Sequence, residues 1–296
     1  MDIQVLFGID METDVGSFTP FYEGVQKATP MLLDMFAKKG VRATFYFTGH
    51  AARNNPDAVK LVAQTDSEVG CHSLFHETVG DELFPIPGVM PLLPEEVPQR
   101  LLRATEWVQE VLGHQPVSFR CPRLWGSTAV VNALEGLGYT SDASYPMYYY
   151  RERFAPYHPC KDDWTKEGDL KLLEIPNFAD MVMESHDPGL ERDRDQWPLF
   201  RTKNADALME RIEAYIRFVS ERNLPVVLCF YFHPWEFIPC KTQYMFGEGG
   251  SCVQEFLVQG TGEKAKREFS RLIDMLLGMN ARFVTAKQIA EEYEHQ

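Results

Sequence analysis

Three carboxylates at alternate positions, Asp10, Glu12 and Asp14, follow the apolar run at residues 3–9. If the chain stays extended, alternate side chains point the same way, and the three share one face at a strand end. Clustered carboxylates repel unless a cation or proton sits between them; an exposed polar loop is the other reading. A second group is His72-Ser73-Leu74-Phe75-His76. Histidines four apart meet on one side of a helical turn, and neutral imidazoles are the commonest metal ligands. The pair offers two corners of a metal site and needs a third ligand from elsewhere; two unrelated surface or core histidines are the alternative. Arg120, closing residues 117–120, is placed either for a surface salt bridge or to hold a carboxylate ionised and oriented. His233 leaves the long apolar run at residues 225–232 next to Pro234-Trp235-Glu236. It suits proton transfer, or is a satisfied core histidine.

These groups share one feature, which is that each follows a run of strand length. Such runs recur at residues 3–9, 41–48, 69–71, 117–120, 172–175, 226–232 and 281–285. Between several of them apolar residues return every three or four positions, as in Val25, Ala28, Leu32 and Phe36, or Leu101, Ala104, Val108 and Val111. Leu208, Ile212, Tyr215 and Val219 form a third helical stripe, and Phe269, Leu272, Ile273 and Leu276 a fourth. Alternating strands and helices imply a largely parallel α/β sheet, open or closed into a barrel. Four longer stretches rich in Pro, Gly, aromatics or charge break the rhythm, at residues 78–93, 145–165, 179–204 and 237–262. Loops of that length in a compact α/β fold are usually functional, and in parallel barrels those at the carboxyl ends of the strands build the site.

The 29 Lys and Arg against 43 Asp and Glu leave a net charge of -14, which repels phosphate backbones and excludes nucleic acid as a partner. With 45% hydrophobic and 24% charged residues, the 296-residue chain can bury a large core, and disorder or coiled coil is excluded. No run approaches the ~18 apolar residues of a membrane span, and the first residues lack a secretory pattern, so a cytoplasmic protein is expected. The six cysteines show no C-x-x-C pair and suggest neither a disulfide framework nor a zinc knuckle.

In order along the chain, Ile9-Asp10-Met11-Glu12, His72-Ser73-x-x-His76, Phe119-Arg120-Cys121-Pro122, Ser141-Asp142-Ala143-Ser144 and Phe232-His233-Pro234 resemble the motifs of the polysaccharide deacetylase family, the NodB-homology domain of carbohydrate esterase family four. The similarity extends over nearly the whole chain. It implies a distorted (β/α) barrel of seven or eight parallel strands in one domain spanning residues 1–296, and a hydrolase that removes acyl groups from N-acylated sugars with a divalent metal. The family's first motif has two adjacent aspartates. Here Asp10 and Glu12 are separated by Met11, a spacing similar to the intracellular branch of atypical peptidoglycan deacetylases and allantoinase-like amidohydrolases.

The resemblance implies Asp10 as base, with Glu12, His72 and His76 as ligands of zinc, or of cobalt, manganese or nickel; Asp14 is a weaker ligand candidate. It implies that Arg120 holds Asp10, that His233 protonates the leaving amine, and that Asp142 orients His233. A backbone N–H near Cys121 is expected to help stabilise the oxyanion, with Cys121, Pro122, Arg123 and Trp235 lining the substrate. Arg123, Arg151 and Arg153 are candidates for an anionic substrate group. Tyr145, Tyr148, Tyr149, Tyr150 and Trp164 either stack on sugar rings or pack over the mouth. Three functions compete: a deacetylase of an N-acetyl sugar or oligosaccharide intermediate, an allantoinase-like hydrolase of a small ureide or cyclic amide, possibly metal-independent, and a silent carbohydrate-binding barrel. The long apolar-rich loops leave room for a homo-oligomer.

Overall fold

The computed structural model describes residues 2–16, 18–86, 89–187 and 189–294. Pro87 and Gly88 of the first long loop, and Pro188 of the third, lie outside the described residues. Among the described residues the strands are β1 (Ile3–Met11), β2 (Thr44–Phe47), β3 (Glu68–Cys71), β4 (Ser118–Phe119), β5 (Ser141–Asp142), β6 (Leu173–Glu174), β7 (Val226–Phe232), β8 (Gln243–Phe246), β9 (Gly249–Cys252) and β10 (Arg282–Phe283). All but β8 and β9 join one sheet of parallel pairs. β7 lies along one edge of β1, with β2 and then β3 to β6 following from the other. Past β6 the chain turns back to β7. Asn177 bridges Cys229, and the Phe178 N–H donates to the Cys229 carbonyl at 2.7 Å. The sheet therefore curls into the distorted barrel the motifs implied.

β1 shows why this sequence makes a two-sided strand. Phe7, Ile9 and Met11 join the large apolar layer that also holds residues of the surrounding helices. Leu6, on the opposite face, belongs with Tyr46, Leu173, Ile175, Val227 and Cys229. A parallel strand covered on both sides must be apolar on both, and here only the last inward position, Asp10, is charged. On the outer side, Phe269 of the helix Glu263–Gly278 meets Phe232, Phe237 and Phe7 at centroid distances of 4.8, 5.0 and 5.1 Å. Phe269→Ala would leave a hole among rings that cannot collapse, and is expected to cost about 3–5 kcal/mol. A lowered urea midpoint with unchanged slope is the expected reading; an unchanged midpoint would show that the cluster does not carry the fold.

The register brings the strand ends level. Met11, Phe47, Cys71, Phe119, Asp142 and Glu174 are successive partners across the sheet, and Ile9 pairs with Phe232. The next residues in the chain, Glu12, His72, Arg120 and His233, therefore emerge at one mouth. The four long segments contain short elements of their own, including the β8–β9 hairpin and helical turns at Met147–Tyr150, Leu199–Thr202 and Glu255–Val258. No helix among the described residues is long and apolar enough to cross a membrane.

Candidate active site and metal centre

A pocket of about 420 Å³ opens at this mouth, lined by Asp10, Glu12, His72, His76 and His233 among others. All four long loops contribute to its wall, through Phe84, Tyr148, Trp197 and Leu257. Their interruption of the helix and strand rhythm was the one signal in the sequence that pointed to them.

One ligand atom each from Glu12, His72 and His76 lies within 4.8 Å of the others. The His72 Nε2 is 3.8 Å from Glu12 Oε2, and the His76 Nε2 is in direct contact with the same oxygen. His72 Nδ1 lies 2.8 Å from the Arg120 carbonyl; an N–H there fixes the tautomer and leaves Nε2 with a lone pair aimed at Glu12. Both Glu12 oxygens are buried and neither accepts a hydrogen bond of ordinary geometry. Burial works against a charge on Glu12, yet the adjacent His76 and His72 hold its carboxyl well below the usual range. Burial also pushes the His76 imidazole below its ordinary value, against the pull of Glu12. An ionised carboxylate with neutral imidazoles is the state that binds a divalent cation. The nitrogen and oxygen donors fit a divalent metal ion.

The histidines do not meet on a helical turn as expected. Residues 72–76 form a loop in which Ser73 and His76 take positive φ, 66° and 65°. Glu77 secures it, accepting from the Phe75 N–H at 2.6 Å and the Ser73 hydroxyl at 3.2 Å. Asp14 also departs from expectation. It accepts from the Glu23 and Gly24 N–H groups, each at 2.9 Å, capping the helix Glu23–Lys39, because the chain leaves its extended course after Met11.

Asp10 accepts from Arg120 Nη1 at 3.1 Å. Arg120 is wholly buried, with Nε on the Ala143 carbonyl (3.0 Å), Nη2 on the Phe230 carbonyl (3.2 Å), and its guanidinium over the Tyr46 ring at 4.6 Å. The barrel interior admits it because residue 8 is glycine: a Cβ there would stand 1.9 Å from Arg120 Nη1. With the guanidinium held on several sides, Gly8→Ala is expected to displace Asp10 and lower turnover by about 100-fold while metal content stays unchanged. Metal analysis beside steady-state rates checks this, and an unchanged rate would show that Arg120 can yield.

His233 sits across the pocket, its Nε2 3.9 Å from Glu12 Oε1. Asp142 was expected to orient this ring, but Glu236 does so, with Oε1 3.0 Å from His233 Nδ1. Burial opposes the charge on His233, while Glu236 raises its pKa. Asp142 is engaged inside the barrel, where it accepts from the Ser144 hydroxyl and burial pushes its carboxyl up to about 6. Ser144 in turn takes the Cys121 N–H at 2.8 Å. That N–H is therefore not directed at an oxyanion, and Cys121 and Pro122 lie buried behind the wall rather than in it.

Arg123 and Trp235 do line the pocket. Arg123 and Leu124 both take positive φ, 62° and 61°, and Arg123 Nη1 donates to the His76 carbonyl and the Thr78 hydroxyl, both at 3.2 Å. Arg151 and Arg153 pair instead with Glu191 and Glu167. Tyr145, Tyr150 and Trp164 pack on one another, leaving Tyr148 as the ring of that group in the wall. Arg192, Asp195, Trp197 and Tyr231 also line the pocket; the sequence reading gave them no role.

Residues 15–141 match the family model described as polysaccharide deacetylase. The chain is 26% identical over 141 residues to a peptidoglycan deacetylase of Helicobacter pylori, covering 46% of this chain and 42% of that protein. It is 28% identical over 112 residues to the peptidoglycan-N-acetylmuramic acid deacetylase PdaA of Bacillus subtilis, covering 38% of this chain and 39% of that one. The matched region is thus about two fifths of each of these two relatives. The crystal structure of PuuE allantoinase aligns with 99% of this chain and 91% of its own, at a TM-score of 0.65 and 13% identity, a likeness of fold alone.

Proposed function

Because residues 15–141 match the polysaccharide deacetylase family model, we propose that this protein is a metal-dependent hydrolase that removes an acyl group, acetyl first of all, from the amide nitrogen of an N-acylated sugar. The observation that carries this reading is the convergence in one pocket of a two-histidine, one-carboxylate ligand set, an arginine-held aspartate and a carboxylate-held histidine. Glu12, His72 and His76 would hold a divalent cation, which would polarise the acyl carbonyl and lower the pKa of water toward ~7. Asp10, oriented by Arg120, takes a proton from the water as its oxygen bonds to the carbonyl carbon. His233 then gives its Nε2 proton to the nitrogen as the C–N bond breaks, releasing carboxylate and free amine. Such proton transfers each contribute about 100- to 10,000-fold.

Arg123 narrows the substrate. Its guanidinium borders the pocket with one nitrogen engaged by backbone and hydroxyl, which favours an N-acyl sugar carrying a carboxylate near the acyl group. The test is acetate release from N-acetylmuramic acid against N-acetylglucosamine oligomers, with allantoin as a small-ureide control. The reading expects faster release from the acid and loss of that preference in Arg123→Leu. Turnover of allantoin without acetate release from any sugar would favour the allantoinase-like alternative, and no turnover at all would favour a silent barrel.

A further inference from the structure

Behind His233 lies a buried ion pair to which the sequence reading gave no role. Arg201 is fully buried. Its Nε donates to Glu236 Oε2, Nη1 to the Gln259 carbonyl at 2.6 Å, and Nη2 to the Leu257 carbonyl at 2.8 Å. Glu236, equally buried, gives its other oxygen to His233, accepting from the backbone N–H at 2.9 Å and facing Nδ1 at 3.0 Å. A buried ion pair is weak support for stability, since apolar side chains of the same volume often do as well. This one is instead aimed at a functional group. The loop is also fitted to it: Gly260 takes φ 76°, and a Cβ there would stand 2.2 Å from the Arg201 carbonyl oxygen. Both segments joined by Arg201 reach the pocket, through Trp197 and Leu257.

We propose that Arg201, acting through Glu236, is a positioning residue for the proton donor His233 and ties that ring to the two loops that wall the substrate. The proposal rests on the deacylase reading. In it, Glu236 stays ionised and holds the Nδ1–H, Arg201 holds Glu236 in place, and the proton that moves is the one on Nε2, delivered to the nitrogen as the C–N bond breaks.

The test compares two substrates of the metal-loaded protein. One is 4-nitrophenyl acetate, whose phenolate leaves without a proton; the other is whichever of N-acetylmuramic acid and chitotetraose the wild type deacetylates faster. The variants are Glu236→Gln and the double variant Arg201→Gln/Glu236→Gln, which leaves no buried charge unpaired. Both are expected to lose about 100-fold in kcat on the amide, with KM and ester hydrolysis within about threefold of wild type. In metal-free protein, a downfield ring-proton resonance that His233→Ala abolishes is expected in the wild type and absent from Glu236→Gln. Equal losses on ester and amide, or undiminished amide turnover in the double variant, would overturn the positioning role while leaving the deacylase reading intact. A wild type that hydrolyses neither substrate would overturn both.

Discussion

Replacing Glu12 or His76 with alanine is expected to abolish bound divalent metal and deacylase turnover together. The ligand set has three members, so either change leaves two, fewer than the three protein ligands a catalytic zinc site keeps. Glu12 is also the only anionic member, and its oxygens face the imidazoles of His72, His76 and His233; its loss removes the charge that attracts the cation. Turnover should fall by about 1,000-fold or more, since carbonyl polarisation and water activation go at once. The fold should survive, because Glu12 and His76 line the pocket at the barrel mouth rather than the apolar core. Metal analysis after dialysis, with acetate release from the same samples, reads both quantities. A metal-free His76→Ala protein with wild-type turnover would show that the reaction does not run through this centre.

Asp10→Asn should behave differently, with metal retained and turnover lost by about 100- to 10,000-fold. The amide oxygen can still accept from Arg120 Nη1, and Arg120 keeps its contacts to the Ala143 and Phe230 carbonyls. What disappears is the capacity to take a proton from water. The separation is diagnostic: a variant that folds and binds metal but does not turn over has lost a base, whereas one that loses metal has lost a ligand. If Asp10→Asn kept near wild-type kcat, another residue would have to be the base.

The parts of the site written in consecutive residues were legible from sequence. Asp10, Glu12, His72, Arg120 and His233 each follow an apolar run, and parallel strands in level register must deliver such residues to one mouth. What the sequence hid were the partners set by loops. His72 and His76 do lie together, but not by the expected geometry: helical spacing suggested a turn, while the chain uses two positive-φ residues and the Glu77 carboxylate. Asp142 and Glu236 were both visible, yet nothing local says which reaches His233. The short 3-10 turn Pro234–Phe237 folds Glu236 back onto the ring, whereas Asp142 points to Ser144. Asp14 likewise looked like a third carboxylate of one face until the helix Glu23–Lys39 claimed it as a cap. Arg201, Asp195 and Trp197 come from a 26-residue stretch without periodicity, where only its length signalled function.

Metal removal and restoration test the account most directly. Purified wild type, stripped with a chelator and dialysed, is assayed for acetate release from N-acetylmuramic acid before and after addition of zinc, with metal content measured at each stage. The account predicts about one divalent ion per chain, turnover lost on stripping, and recovery that tracks metal uptake up to that ratio and fails in Glu12→Ala. Undiminished acetate release from metal-free protein would contradict it.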